Sequence, residues 1–290
     1  MRQVVILAGG EGTRLRERIA DLPKPLVDIC GVPLLERQIL LAQGHGFTDI
    51  LILVSHGAPR IADFCAAKNN WGLSLQCIDD GQPRGTAGAT LAAFDRLADE
   101  FLVMYGDTML DVDLMRFYTF HARSPEAAAT LFVHPNDHPA DSDLVEMDEE
   151  DRITAFHPYP HDPGRNYGNL VNAALFWVNK AALGRWREAA EMRDFGKHLF
   201  PAMLRDDLIL RGYRSPEYIK DVGTPERLDR VCADLRTGRI ARRSLLRPQP
   251  MVFLDRDGTI NREVDHLRDP RQLELLPGAA QAIRRLNASD

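Results

Sequence analysis

A chain of 290 residues, 44% of them apolar and 27% charged, has the make-up of an ordinary globular protein and is long enough for one large domain plus a fragment or for two modest domains. Its formal net charge of −6 excludes a general nucleic-acid binder, which needs a basic surface, yet allows a small anionic ligand where Arg and Lys gather. No apolar run is long enough to span a bilayer and the opening residues do not read as a leader, so the expected location is cytoplasmic, with no membrane partner.

The first apolar run, Val4-Val5-Ile6-Leu7-Ala8, ends at Gly9-Gly10-Glu11-Gly12 and predicts a buried strand leading into a tight loop. Glycine admits φ > 0 and carries no Cβ, so backbone N–H groups there can approach a phosphate closely. Thr13 and Arg14 follow, and ten residues past Arg14 stands Lys24 between Pro23 and Pro25, adding positive charge where a triphosphate would lie. Further strand-like runs at 50–54, 74–78 and 101–105 alternate with amphipathic stretches at 33–43 and 86–97. That alternation predicts an α/β architecture, a mostly parallel sheet flanked by helices on both faces, with ligands bound beyond the carboxyl ends of the strands. The opening loop and the Gly106-Asp107 pair both fall at such ends.

From about 134 to 176 the chain is richer in Pro, Asp and His, which reads as irregular and hairpin structure covering a substrate pocket. The apolar run resumes at 173–178. Thr224 and Pro225 then open a helix through Leu235, as N-cap and first helical residue. The basic stretch 236–247 reads as a linker or exposed helix with solvated charges. Cys30, Cys65, Cys77 and Cys232 have no zinc-site spacing and read as isolated thiols in a reducing compartment.

The opening loop lacks the third glycine of a dinucleotide fingerprint and the Gly-Lys-Ser/Thr of a P-loop. The whole string, Leu-Ala-Gly-Gly-x-Gly-Thr-Arg-Leu at 7–15 followed by Pro-Lys-Pro-Leu at 23–26, resembles the signature of the sugar-phosphate nucleotidyltransferases. These join a nucleoside triphosphate to a sugar 1-phosphate and release pyrophosphate. The resemblance implies a Rossmann-like domain over 1–235 and a linker over 236–249. It puts Leu7, Ala8, Gly9, Gly10, Gly12 and Thr13 around the nucleotide, Arg14 on the departing pyrophosphate, and Lys24 between phosphates near the reacting centre. Asp107 and Asp221, the latter in Asp-x-Gly-Thr-Pro, become the two carboxylates that hold Mg²⁺. Taken alone, Asp107 is equally a turn aspartate, as Asp111 is.

Gly85-Thr86-Ala87-Gly88 resembles the base-recognition turn of that family, with Gln82 in reach of the base, while Thr86 also suits a helix start. On the sugar side the resemblance assigns Asn172, which an apolar strand tolerates only when hydrogen-bonded. Glu146 reads either as a ligand of sugar hydroxyls or as a solvent-facing strand residue. Relatives carry a Glu-Lys-Pro-like element whose lysine meets the sugar phosphate; here the chain reads Phe156-His157-Pro158-Tyr159-Pro160. Tyr159 at the lysine position removes a cation, for which Lys197 or Lys220 would have to substitute.

A second motif comes late. Met251-Val252-Phe253-Leu254-Asp255-Arg256-Asp257-Gly258-Thr259 reads as a strand ending in Asp-x-Asp-Gly-Thr. It resembles the first motif of haloacid-dehalogenase phosphatases, in the histidinol-phosphate and heptose-bisphosphate branch. There Asp255 would be the nucleophile and Asp257 the general acid/base. Too few residues follow to supply a phosphatase core, so residues 250–290 are expected to be an incomplete α/β stub, without activity, whose first helix is 277–286. Its kinship implies GTP and D-glycero-D-manno-heptose 1-phosphate as substrates, in the making of nucleotide-activated heptose for lipopolysaccharide or another surface polysaccharide, with mannose 1-phosphate as the nearest alternative. Two other readings are a phosphohydrolase acting through Asp255 and a non-catalytic sugar-nucleotide sensor.

Overall fold

Val4 to Leu7 are apolar on both sides of the pleat because the strand they form, β1 (Gln3–Leu7), is covered on both faces. Val5 and Leu7 face one core, Val4 and Ile6 the other. The computed structural model describes residues 2–10, 12–135, 142–162, 164–165, 167–248 and 250–288, which divide into two compact units, 1–246 and 247–290.

In the first unit, β1 leads through a short turn, α1 (Arg16–Ile19), to a small ribbon of β2 (Asp28–Ile29) and β3 (Val32–Pro33). Then come α2 (Leu34–Gly44), β4 (Asp49–Val54), α3 (Ala58–Ala67), β5 (Ser74–Asp79), α4 (Gly85–Ala92) and β6 (Glu100–Tyr105). Strands β5, β4, β1 and β6 lie side by side and parallel, with Val4 opposite Ile50 and Leu102. Residues of α2 and α3 pack on one face of these strands, residues of α4 on the other. The chain is therefore α/β with a mainly parallel central sheet flanked by helices.

The predicted helix 86–97 stops early. Leu91 and Leu97 belong to one core, and six positions apart on a continuous α-helix they would point about 120° from each other. The chain ends α4 at Ala92 and tightens into a 3₁₀ turn at Phe94–Arg96, which turns Leu97 inward.

After β7 (Thr108–Asp111) and α5 (Leu114–His121), an antiparallel half extends the sheet. It comprises β8 (Ala129–Pro135), the hairpin of β9 (Leu144–Met147) and β10 (Ile153–His157), and the long β11 (Leu170–Asn179) alongside β6. Register slips along β11 between Asn172 and Phe176, where Ala174 takes a left-handed φ of 57°. Short α6 (Lys180–Leu183) and α7 (Phe200–Arg205) lead to β12 (Leu210–Arg214), parallel to β8, and to β13 (Tyr218–Asp221), which pairs with β7. Helix α8 (Pro225–Arg236) starts as predicted, Thr224 Oγ1 accepting from Arg227 N.

Residues 236–246 are not a linker. Ile240 is buried against Leu228 and Val231 of α8, and Leu245 N donates to the buried Glu217. One apolar side chain inside the arginine run pins the segment to the body. The same core gathers Leu15, Val27, Met109 and Val222, so it joins the loops around Arg14 and Lys24 to β7, β13 and α8.

In the second unit, residues 251–254 do not form the expected strand. They pair with no neighbour among the described residues, and Phe253 is 88% exposed. A strand is held by its partner's hydrogen bonds, and none is supplied here. The loop after them is ordered internally: Gly258 has φ 73°, and the buried Asn261 donates from Nδ2 to Asp257 Oδ1 at 3.0 Å. Helix α9 (Ala279–Ala288) matches the expected helix within two residues.

Candidate active site

The carboxyl ends of β1, β4 and β6 open onto a cavity of about 230 Å³. Leu7, Ala8, Gly9 and Gly10 line it from the opening loop, and Gly85 and Thr86 from the start of α4. Ser55 Oγ holds the loop by donating to the Gly9 carbonyl at 2.7 Å. Gly12, at φ 64°, packs on the Lys24 side chain, where a Cβ would stand a tight 3.1 Å from Lys24 Cβ. Gly12 and Thr13 therefore shape the loop rather than the cavity wall. Gly85, also left-handed, lies so close to Arg193 that a Cβ would meet its carbonyl oxygen at 2.2 Å. Thr86 caps no helix; its hydroxyl donates to Asp194 Oδ2 and accepts from Phe195 N.

Gln82 is not in this cavity. It is exposed and lines a separate surface hollow with Arg84, Arg187 and Arg193, because the turn before α4 points it away. Asp80, just past β5, does line this cavity, its N–H tied to the Val54 carbonyl. Burial pushes the Asp80 carboxyl up to about 6, against a smaller opposing pull from Arg84.

Two carboxylates meet at the ribbon of β7 and β13. Thr108 pairs with Asp221, and Val222 N donates to the Asp107 carbonyl at 2.8 Å, so Asp107 and Asp221 emerge at the same end. Each carries a cation. Lys24, only 7% exposed, donates from Nζ to Asp107 Oδ2 at 2.5 Å. Arg227 Nη1 donates to both oxygens of Asp221, at 2.8 and 2.7 Å, while Gly223 N donates to Oδ2. Arg14 reaches the same corner from its exposed turn: a Cβ on Gly223 would stand 3.2 Å from Arg14 Nη2. Among the described residues no three His, Cys, Asp or Glu side chains come together as a metal cage. Two hard oxygen donors fit Mg²⁺, which keeps waters and takes substrate phosphates as its other ligands.

A second cavity, of about 370 Å³, lies on the other side of Tyr105, which lines both. Asn172, Asp143 and Asp194 form one wall; Lys220 and Asp221 of β13 and the arginines of α8 form another. Asn172 Oδ1 accepts from Ala174 N at 3.3 Å, which holds the left-handed residue in its bulge. Arg239 and Arg243 also line this cavity, so the basic stretch is not simply a solvated face.

Glu146 stands apart from that cavity, accepting from His157 Nε2 at 2.9 Å and from Arg165 Nη2 at 2.6 Å. Tyr159 is 53% exposed and does not line it, although its N–H donates to Asp143 Oδ1 of the wall at 3.0 Å; Lys220 lines it and Lys197 does not. Sequence reasoning missed Asp80, visible only as an acid at a strand's carboxyl end, and Arg227, which stands one turn into a recognisable helix.

The family model described as "Nucleotidyl transferase" matches residues 3–238. Mannose-1-phosphate guanylyltransferase of Mycobacterium tuberculosis is 30% identical over 236 residues, covering 81% of this chain; the chain spans only 64% of that relative's length. The crystal structure of HddC from Yersinia pseudotuberculosis superposes with a TM-score of 0.68 at 25% identity, over 81% of this chain and all of the other, and HddC has also been crystallised with GMP-PN. A putative glucose-1-phosphate thymidylyltransferase from Bacillus anthracis shares the fold, with a TM-score of 0.72 at 18% identity over 81% of this chain and 96% of its own. With the match over four-fifths of its length, the chain belongs to the nucleotidyl transferase family.

Proposed function

We propose that the chain transfers a guanylyl group from GTP to a sugar 1-phosphate and releases pyrophosphate, with Mg²⁺ as cofactor. The observation that carries this reading is the pair of cavities that share Tyr105 and flank Asp107 and Asp221. A sugar-phosphate oxygen attacks the α-phosphorus; the new P–O bond forms as the bond to the β-phosphate oxygen breaks, and pyrophosphate leaves with that electron pair. No covalent enzyme intermediate is needed, so the protein's work is alignment and charge neutralisation. The opening loop and Lys24 hold the triphosphate, and Arg14 meets the departing pyrophosphate with a fork that suits two phosphate oxygens. Mg²⁺ on Asp107 and Asp221 would supply further positive charge at the transferring phosphoryl group.

Asp80 supports guanine. Guanine presents two donors in a row, N1–H and N2–H, and a half-buried carboxylate accepts both; adenine offers no such edge. For the acceptor, D-glycero-D-manno-heptose 1-phosphate is the first reading, from the Asp255 motif, and mannose 1-phosphate the second, from the similarity to a mannose-1-phosphate guanylyltransferase. Both share the manno ring. No described helix is long and apolar enough to cross a membrane, and a cytoplasmic location is part of the proposal.

For residues 247–290 we infer a segment of haloacid-dehalogenase type, supported by the Asp255-Arg256-Asp257-Gly258-Thr259 loop, and hold phosphatase chemistry through Asp255 as the lesser reading. A pyrophosphate-release screen of the common nucleoside triphosphates against mannose and heptose 1-phosphates tests the main reading. GTP with one of the two sugars should respond; phosphate release alone, lost in Asp255→Asn, would support the lesser one.

A further inference from the structure

The Asp221 carboxylate, assigned above to the metal, is filled in this structure by the protein itself. Arg227 Nη1 lies between its two oxygens, 2.8 Å from one and 2.7 Å from the other, where a chelated cation would stand. A metal that takes both oxygens must first displace that guanidinium. Lys24 relates to Asp107 in the same way, at 2.5 Å, and lines the nucleotide-side cavity, whereas Arg227 lines the cavity of Asn172 and Lys220. That second cavity has to bind a phosphate dianion, and the position from which a lysine was expected, Tyr159, is exposed and outside it.

We propose that Arg227 is a placeholder cation: it neutralises Asp221 until the metal arrives, and the exchange then delivers it to the phosphate of the incoming sugar 1-phosphate. This inference rests on the nucleotidyl-transfer reading of the site. Its chemical basis is charge conservation at one carboxylate, since Asp221 has a cation in either state and the second anion gains Arg227 only after metal binding. Arginine suits the task because its planar fork serves a carboxylate and a phosphate equally well. Helix α8 gives it a firm base, since its neighbours Leu228 and Val231 are buried in the core. Arg230 of the same helix and Arg239 and Arg243 beyond it complete a basic wall for the phosphate.

The test uses the full chain and two probes, Mn²⁺ read by electron paramagnetic resonance and α-D-mannose 1-phosphate read by calorimetry in the presence of Mg²⁺. Arg227→Met should bind Mn²⁺ about tenfold more tightly than wild type without substrates, because the competing charge-assisted bonds are gone. It should also lose about tenfold or more in affinity for the sugar phosphate, by the same size of interaction. Arg227→Lys, which keeps the charge and the fold but not the fork, should fall between the two on both measures. Unchanged or weaker Mn²⁺ binding in Arg227→Met would mean that Arg227 merely orients Asp221, and would overturn the exchange; so would unchanged sugar-phosphate affinity. A wild-type protein that exchanges Mn²⁺ for Arg227 in this way yet makes no pyrophosphate from any triphosphate and sugar pair would instead overturn the guanylyltransferase reading.

Discussion

Asp80→Asn is the sharpest perturbation of the nucleotide side. The carboxylate stands in a cavity walled by Leu7, Leu53 and Ala89 and accepts from two adjacent donors of guanine in the proposed complex. Asn turns one acceptor into an N–H donor that faces a donor. Losing one hydrogen bond to a charged group and leaving a donor unmatched costs about 3–4 kcal/mol together, or roughly 10²–10³ in kcat/KM for GTP. Activity with ATP should barely move, because adenine does not present that pair. The pH dependence follows from the raised pKa. Below about 6 the Asp80 carboxyl is protonated and accepts less well, so kcat/KM for GTP should fall with acid in wild type. In Asp80→Asn that limb should vanish.

Stability gives an independent reading of the same group. The folded value, about 6, lies above the ordinary 3.8, so Asp80 favours folding below 3.8 and loses that contribution as pH rises through 6. At neutral pH the charged, desolvated Asp80 is a burden on the free protein. Asp80→Asn should therefore raise the melting temperature at pH 7.5 relative to wild type, and raise it less at pH 4. The assays are pyrophosphate release at saturating sugar phosphate and thermal melts across pH. A variant whose kcat/KM for GTP stays within about threefold of wild type would refute guanine recognition by Asp80.

Two further substitutions test the surroundings. Gly85→Ala forces a Cβ to within 2.2 Å of the Arg193 carbonyl oxygen in a left-handed backbone, and should cost about 2–4 kcal/mol by denaturant unfolding while weakening nucleotide binding. Equal stability would mean that the α4 turn is not held against Arg193. Ile240→Ala removes the one apolar anchor of the basic segment and should cost about 2–4 kcal/mol in urea melts of the full chain; a cost below about 0.5 kcal/mol, that of an ordinary surface change, would restore the linker reading.

What was legible in the sequence is what lies contiguous in it. The run from Val4 to Arg14, the prolines around Lys24, and the pairs Gly106-Asp107 and Asp221-x-Gly-Thr-Pro each contain their own local reason to turn, and the structure brings Lys24, Asp107, Asp221 and Arg14 to one corner. A hairpin between 134 and 176 was legible, but not how the antiparallel half joins the sheet, since the bulge of β11 depends on Asn172 bonding Ala174 N. Nor were the cations of the second cavity. Which face of α8 meets a cavity is decided by Leu228 and Val231 packing beneath it, not by the arginines themselves. Tyr159 looked like the loss of a sugar-side cation, and its side chain does not line the cavity although its N–H holds Asp143 of the wall; the charge there comes from Lys220, from Arg227 and Arg230 of α8, and from Arg239 and Arg243. The 251–254 run failed as a strand for the opposite reason: its local pattern is strong, but sheet structure requires a partner.

In the proposed reaction two carboxylates and their cations join a nucleoside triphosphate to a sugar 1-phosphate. The direct measurement is the stoichiometry of GDP-sugar and pyrophosphate formed from GTP, Mg²⁺ and mannose or heptose 1-phosphate, by wild type, Asp107→Asn and Asp221→Asn. Wild type should form equimolar products and each variant should lose about 10³-fold or more, as expected when a group that stabilises transition-state charge is removed. Wild-type turnover in both variants, or pyrophosphate without nucleotide-sugar, would contradict it.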